Sequence, residues 1–293
     1  MNTPSAHIAQ LADRGVVRVA GADAARLLQG VISNDVNLLD HLAAIHAGLL
    51  SPQGKILFEF FVARSGDAFL LETARDKAAD LAKRLLLYRL RAKATITDAS
   101  GEYRLLVVWG ESAAPVGPQA ILAYADPRLP DLGVRLLQPA AQEVPIAEPG
   151  LAAPGDWHEH RIRLGVPEGG KDYPLGDTFP HEADFDLLNG VSFSKGCFIG
   201  QEVVSRMHNR ASVRKRVVPI EADTPLTSGA AISAGKAVIG TVGSVAGRRG
   251  LAMLRLDRAA EATAKGEALS ASGVTIRLRR PPWAAPEPDR AAP

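Results

Sequence analysis

The sequence predicts an α+β fold that ends in a small antiparallel β-barrel, and three observations point there. Apolar runs around 45–50 and 56–62 flank Ser51-Pro52-Gln53-Gly54, whose turn chemistry makes an antiparallel pair. Ala78, Leu81, Leu85 and Tyr88 recur at three- and four-residue spacing, the apolar face of one helix. From Val217 onward short β-like runs alternate with glycine turns, the spacing of a small barrel.

The elements follow in order. Val16-Val17-Arg18-Val19 reads as a strand, and Asp23 opens a helical pattern with Ala24, Leu27 and Leu28 on one face. After the 45–62 pair, a turn at Ser65-Gly66-Asp67 leads into Phe69-Leu70-Leu71, extending the meander. Thr73 followed by Asp76 resembles a capping box for the next helix. Arg104–Trp109 is a buried strand, and the proline-bearing pieces 115–118 and 139–154 read as loops joining subdomains. Helices are expected at Trp157–Leu164 and from Gln201 to about His208. In the barrel, Ala237–Ile239, Thr241–Val245, Leu251–Leu256 and Val274–Arg279 are the expected strands. The division expected is a body over 1–216, a barrel over 217–283 and a disordered tail over 284–293.

Composition narrows the classes. With 46% hydrophobic and 23% charged residues among 293, the chain reads as a soluble globular protein. No apolar run reaches the ~18 residues of a membrane span. Met1–Ser5 lacks a basic region followed by an apolar stretch, so no secretory signal is expected and the cytoplasm is the expected location. A formal net charge of +2 gives no ground for a nucleic-acid partner without a local patch. A single cysteine excludes an internal disulfide, and excludes an all-cysteine zinc or iron–sulfur site within one chain.

That cysteine lies in Ser192-Phe193-Ser194-Lys195-Gly196-Cys197-Phe198-Ile199-Gly200-Gln201-Glu202. Gly196 and Gly200 allow a sharp turn or a close approach to a ligand, because no Cβ restricts φ. Lys195 puts a positive charge near the Cys197 thiol, which favours the thiolate. Phe193, Phe198 and Ile199 would anchor the loop. The plainer alternative for Cys197 is a small buried hydrophobe. A helix starting near Gly200 or Gln201 would aim its amides at an anion. A hydrolase nucleophile would need a base and an orienting partner; His181 and His208 are candidates by sequence distance alone.

The segment Lys-Gly-Cys-Phe-Ile-Gly-Gln-Glu resembles the signature of the YgfZ-type folate-binding proteins, relatives of the glycine-cleavage T-protein. Gly15–Gly30, Ser33-Asn34-Asp35-Val36, Ser51–Lys55, Tyr88-Arg89-Leu90-Arg91, Arg161–Pro167 and Phe179-Pro180-His181-Glu182 are similar to the family as well, over roughly residues 15 to 216. The resemblance implies a T-protein-like body of α+β subdomains around a central folate cleft. It implies tetrahydrofolate as cofactor, a role in assembly or repair of iron–sulfur proteins, and assembly factors or client enzymes as partners. It makes Cys197 and Lys195 the reactive pair. Glu182 takes the place of a glutamate that contacts folate, where a carboxylate can accept two adjacent pterin N–H bonds; Asp184 and Asp186 are nearby alternatives. Gly196, Gly200, Gln201, Glu202 and Arg206 complete the expected folate site.

Two other functions stay open. A folate-dependent aminomethyltransferase or demethylase needs a carboxylate beside the reacting nitrogen. The corresponding region here reads Leu70-Leu71-Glu72-Thr73-Ala74-Arg75-Asp76, with Asp76 or Asp80 as possible substitutes. An adaptor for RNA or protein would use Arg206, Arg210, Arg214, Lys215 and Arg216; without interleaved aromatics the RNA version is weak. His158-Glu159-His160 is not read as a metal site, because residues two apart face different sides of a helix. The glycines between Gly235 and Gly250 lack phosphate-loop spacing and are read as turns.

Overall fold

The structure is a computed structural model that describes residues 6–110, 120–142, 151–210 and 213–284. Its elements in chain order are β1 (His7–Gln10), β2 (Arg14–Ala20), α1 (Ala24–Val31), β3 (Ala44–Leu50), β4 (Ile56–Ser65), β5 (Ala68–Ala74) and α2 (Arg75–Arg89). There follow β6 (Thr95–Asp98), β7 (Tyr103–Trp109), β8 (Leu122–Ala125), β9 (Val134–Pro139), α3 (Pro154–Leu164) and α4 (Gln201–Arg210). The last are β10 (Lys215–Ala222), β11 (Ala231–Ala234), β12 (Ala237–Ala246), β13 (Arg249–Arg255), α5 (Leu256–Ala264), β14 (Leu269–Ala271) and β15 (Val274–Leu278). The α+β class and the C-terminal barrel are as expected.

The chain divides into two compact units, one of Met1–His160 with Pro174–Val213 and one of Arg161–Tyr173 with Arg214–Pro293. The first unit holds two antiparallel sheets, β3-β4-β5-β2-β6 and β1-β7-β9-β8. The larger sheet buries Val17, Val19, Phe60 and Leu71 against Leu28 of α1 and Leu81 and Leu85 of α2. Leu81 and Leu85 are four apart, and Ala24, Leu28 and Val31 of α1 are four and three apart, so each helix presents one stripe to the sheet.

The first unit also buries a network of charge. Glu72 of β5, 1% exposed, accepts hydrogen bonds from Arg14 Nε at 2.9 Å, Tyr124 Oη at 2.7 Å and Arg135 Nη1. Arg135 also donates from Nε to Asp126 at 2.9 Å, and Arg128 grips Asp126 through Nε at 3.0 Å and Nη2 at 2.9 Å. Arg128 reaches Glu59 of β4 at 3.9 Å, and the same carboxylate meets His46 of β3 at 3.1 Å. Residues of both sheets are therefore joined through ion pairs. Phe61 lies under the guanidinium groups of Arg135 and Arg128, at 4.5 and 4.9 Å from its ring centre. Burial alone would raise the Asp126 pKa, but Arg128 and Arg135 outweigh it and hold the carboxyl well below the usual range. Tyr124 is pushed well above its ordinary value, first by burial and then by the Glu72 charge.

In the second unit six strands close in the order β10-β13-β12-β11-β14-β15. Ile220, Ile232, Val242 and Leu254 fill the interior, with Ala259 and Ala262 of α5 packed into the same cluster. Arg161, fully buried, donates to Asp172 Oδ2 at 2.7 Å, to the Val166 carbonyl at 2.6 Å and to Ser244 Oγ at 3.0 Å. Asp172 Oδ1 accepts from the Ser244 amide at 2.8 Å, so 161–173 is tied to β12. That explains the arginine of Arg161–Pro167 as a structural anchor. Gly165, at φ +78°, has Pro219 Cγ 2.7 Å from where a Cβ would stand.

Several local expectations are corrected. Thr73 does not cap α2: the N-cap is Ala74, without a side-chain bond, and Thr73 Oγ1 instead donates to the Glu59 carbonyl. Cross-strand pairing thus outcompetes the cap. The runs 237–239 and 241–245 form the single strand β12, with a register shift between Val242 and Val245. The helix α5, carrying Ala259, Ala262 and Glu261 in an alanine-rich run, was not anticipated. Loop 115–118 and most of the expected tail lie outside the described residues, as does the middle of 139–154.

Breaking a buried ion network from one side leaves uncompensated charge. Arg135→Met is expected to lower stability by about 3–5 kcal/mol in chemical denaturation followed by circular dichroism. A loss below about 1 kcal/mol would show that water, not Arg135, solvates Glu72 and Asp126.

Candidate functional site

The Ser192–Gly200 loop is held at its entry by the Ser33-Asn34-Asp35 segment. Ser33 Oγ donates to the Gly190 carbonyl at 2.6 Å and accepts from the Gly48 amide at 2.8 Å, and the Ser33 carbonyl accepts from Ser192 N at 3.0 Å. Asn34 Nδ2 donates to the carbonyls of His46 and Asn189, both at 2.8 Å. Gln29 and Asp35 brace this turn: Gln29 Nε2 donates to Asp35 Oδ1 at 3.0 Å, and Gln29 Oε1 accepts from Val36 N at 2.8 Å.

Lys195 does something different from what its place beside the cysteine suggested. Its side chain is buried, and Nζ donates to the carbonyls of Gln29, Ile32 and Asn34, each at 2.8 Å. An ammonium has three N–H bonds, and all three are spent on the end of α1 and the turn that follows. A cation there also suits the negative end of the helix dipole. Burial lowers the Lys195 pKa from 10.5 to about 8, while the Asp35 charge works in the other direction. The lysine is a staple for the loop, and Cys197, two residues on, is exposed.

The exit is fixed by close backbone approach. Gly200 has φ +81°, and a Cβ there would stand 2.6 Å from the Ser51 carbonyl oxygen and 3.0 Å from Gly54 Cα. Only glycine fits. Gly196 has nothing within 4 Å of an added Cβ, so no close approach requires a glycine at that point. Phe198, largely buried, lies 5.2 Å from Lys195 Nζ and anchors the middle of the loop.

The other expected site residues are scattered. Gln201 and Glu202 open α4, and Glu202 points to solvent paired with Arg206 one turn on. His208 stacks on Phe193 with ring centres 3.8 Å apart, and buried His181 lies 6.0 Å from His208. Glu182 sits in a 3₁₀ turn, Pro180–Ala183, where Oε2 accepts from the Phe179 amide at 2.9 Å as a local cap. Asp76 and Asp80 are exposed on α2, whereas Glu72 is locked in the buried network. The side chain of Arg210 and residues 211–212 lie outside the described residues. Among the described residues no group of three or more His, Cys, Asp or Glu side chains could hold a metal ion.

A cavity of about 570 Å³ opens beside the loop, lined by Asn34, Ile45, His46, Asp126, Asn189 and Phe193 among others. His46 is oriented by the Leu188 carbonyl at Nδ1, 2.9 Å, and by Glu59 at Nε2, 3.1 Å. Glu182 is not in this lining. His46 and Asp126 gave no sequence signal as site residues, since their partners lie far away in the chain. Ser33 and Asn34 stood only in a motif of family resemblance.

Comparison with known proteins bears on this arrangement. The family model for the CAF17 C-terminal β-barrel domain matches residues 214–286. The human protein named iron–sulfur cluster assembly factor IBA57, mitochondrial, is 35% identical over 263 residues, covering 82% of this chain and 72% of its own. The chain belongs to the IBA57 family. A Mycosarcoma maydis homologue of the same name is 34% identical over 227 residues, 73% of this chain and 56% of its own. A Neurospora crassa homologue is 31% identical, and the chain spans 53% of its length, so these fungal IBA57 proteins are nearly twice as long as the shared part. The fold matches that of the glycine cleavage system aminomethyltransferase T from Bartonella henselae, with a TM-score of 0.74 at 14% identity over 95% of this chain and 86% of that one. The expected cytoplasmic location is overturned by these IBA57 relatives, which are named as mitochondrial.

The staple of this IBA57-family chain has a pH signature. An NMR titration of Lys195 is expected to show a midpoint near 8, against the ordinary 10.5. Below pH 8 the lysine is charged in both folded and unfolded chains. Between about 8 and ~10.4 the unfolded chain binds more protons, so linkage makes wild type gain stability relative to Lys195→Met as pH rises through that window. A midpoint near 10.5 and parallel stability curves would contradict the burial of this ammonium.

Proposed function

We propose that this protein assists the assembly of iron–sulfur proteins, with Cys197 supplying one thiolate ligand to a cluster in transit. One observation carries the reading: the only cysteine is exposed on a loop fixed by the Lys195 staple and by the Gly54–Gly200 approach. The names of its IBA57 relatives and the YgfZ-type resemblance of Lys195–Glu202 support it. Clusters take several ligands, and one cysteine per chain supplies one of them. The remaining ligands come from a partner or a small thiol, so the cluster is cargo. Ligation exchanges the thiol proton for a sulfur–iron bond, with the proton going to solvent. Gln201, Glu202 and Arg206 offer polar surface next to the thiol for that partner.

Cys197→Ala tests this in a strain lacking the native protein. The variant is expected to fold with unchanged circular dichroism and to leave iron–sulfur enzyme activity near the level of the deletion. Full restoration of that activity would remove the thiol from the mechanism.

The cavity beside the loop favours a second reading that joins the first. Its volume of about 570 Å³ falls within the usual ~300–1,000 Å³ for small-molecule sites, and suits a planar ligand such as the pterin of tetrahydrofolate. Asn189, Ser192 and Ser194 would supply polar contacts and Phe193 a ring face. Glu182 lies outside this lining, so it would meet a folate only at the 3₁₀ turn, through Oε1, its Oε2 being engaged by the Phe179 amide. Bound folate would supply one-carbon chemistry, while these residues bind and orient it.

Anaerobic calorimetry with tetrahydrofolate on wild type, Asn189→Ala and Glu182→Ala separates the roles. Binding weakened about tenfold in Asn189→Ala would place folate in the cavity. Weakening in Glu182→Ala alone would move it to the 3₁₀ turn. No wild-type binding would reject the folate reading and leave the thiol reading standing.

A further inference from the structure

The Tyr88-Arg89-Leu90-Arg91 motif has no part in the site described above, yet it forms a strained and basic surface of the first unit. Leu90 ends α2 with φ 45° and ψ −110° and is 85% exposed. A non-glycine residue in that region is strained, and such strain persists only where something opposes its relief. Here the strained side chain buries almost nothing in its own chain. Leu87, one turn earlier, is 67% exposed.

The charged residues that line the groove beside it are all arginines. Arg89 and Arg91 are exposed on either side of Leu90, and Arg26 of α1 faces them across a groove of about 630 Å³ that also includes Gly30 and Tyr88. Among the described residues the Arg89 side chain makes one hydrogen bond, to the Ala94 carbonyl at 3.5 Å, and Arg91 has no carboxylate partner. Asp23 is the acidic group at the edge; it lies 4.0 Å from Arg26 and already accepts from the Lys93 amide at 2.7 Å. Gly30 has nothing within 4 Å of an added Cβ, so the groove floor is open.

We propose that this groove docks an acidic segment of a partner protein, with carboxylates on Arg26, Arg89 and Arg91 and an apolar side chain against Leu90. Charge complementarity selects the occupant. Nucleic acid is disfavoured because the aromatic ring lining the groove, Tyr88, is half-buried against the core, with no second ring to continue a stacking platform. A bilayer is disfavoured because Leu87 and Leu90, set beside three arginines, offer little apolar area to insert. The groove also has a physical link to the thiol loop. Gly30 and Val31 line it, and the adjacent carbonyls of Gln29 and Ile32 are the ones held by Lys195. A partner seated here rests on the helix end to which the cysteine loop is stapled. The binding claim stands without the iron–sulfur reading.

The test uses a short fluorescein-labelled peptide of glutamate and leucine, with a lysine–leucine peptide as control, read by fluorescence anisotropy on the full chain. Wild type is expected to bind the acidic peptide only, and Arg89→Glu with Arg91→Glu to weaken it about tenfold or more. Leu90→Gly relieves the backbone strain, so it is expected to be at least as stable as wild type and still bind the peptide more weakly. Equal binding by wild type and the arginine variant overturns the proposal. So does a failure of wild type to bind, or arginine-dependent binding of phosphatidylserine vesicles or oligo-U RNA in place of the peptide.

Discussion

The buried pairing of Glu72 and Asp126 with Arg135 is the constraint on which the first unit depends. These side chains come from both sheets, and each is no more than 1% exposed. Coulomb attraction in a dry interior is strong, but so is the cost of removing charges from water. The network meets that cost by satisfying most donors and acceptors: three arginines and a tyrosine serve Glu72 and Asp126, and Phe61 presents its ring face to the cations. Such a junction has one good arrangement. A purely apolar interface tolerates sliding; paired charges do not, because each slip leaves a buried ion alone.

That rigidity extends to the candidate site. Asp126 is both a member of the network and a wall of the cavity, and His46, joined to the network through Glu59, is another. Asn34 fastens the backbone of His46 to Asn189, and Ser33 fastens Gly48 to Gly190. The cysteine loop thus starts from a segment pinned to β3 and ends on a glycine pressed against the Ser51–Gly54 turn. Lys195 closes the arrangement from inside. Its conventional interpretation, a charge that activates the neighbouring thiol, gives way to a mechanical one: the ammonium is consumed by three carbonyls, and the thiol is what the staple leaves outside.

Much of the fold was legible because it rests on local periodicity. Ala78, Leu81 and Leu85 announced α2, and the 45–62 pair announced β3 and β4, since burial of one face imposes those spacings. The barrel was legible from its turns. What periodicity could not show was pairing at a distance. Glu72 and Arg135 are 63 positions apart, and each looks like an ordinary strand charge until the sheets meet. Thr73 had the local chemistry of a cap, but cross-strand bonding claimed its hydroxyl. The thiol loop was legible as a place, because a sole cysteine between glycines stands out. The job of its lysine was not, because the three acceptors lie more than 160 positions away.

On the proposed function, the stapled loop would offer Cys197 as one ligand of a cluster completed from outside the chain. The most direct measurement is anaerobic reconstitution with ferrous iron, sulfide and glutathione, the small thiol standing in for a partner's ligands, followed by visible absorption and Mössbauer spectroscopy. A protein-bound cluster is expected in wild type and none in Cys197→Ser, with both proteins equally folded. A cluster retained by the serine variant, or none formed by wild type under conditions in which glutathione can supply the missing ligands, would contradict it.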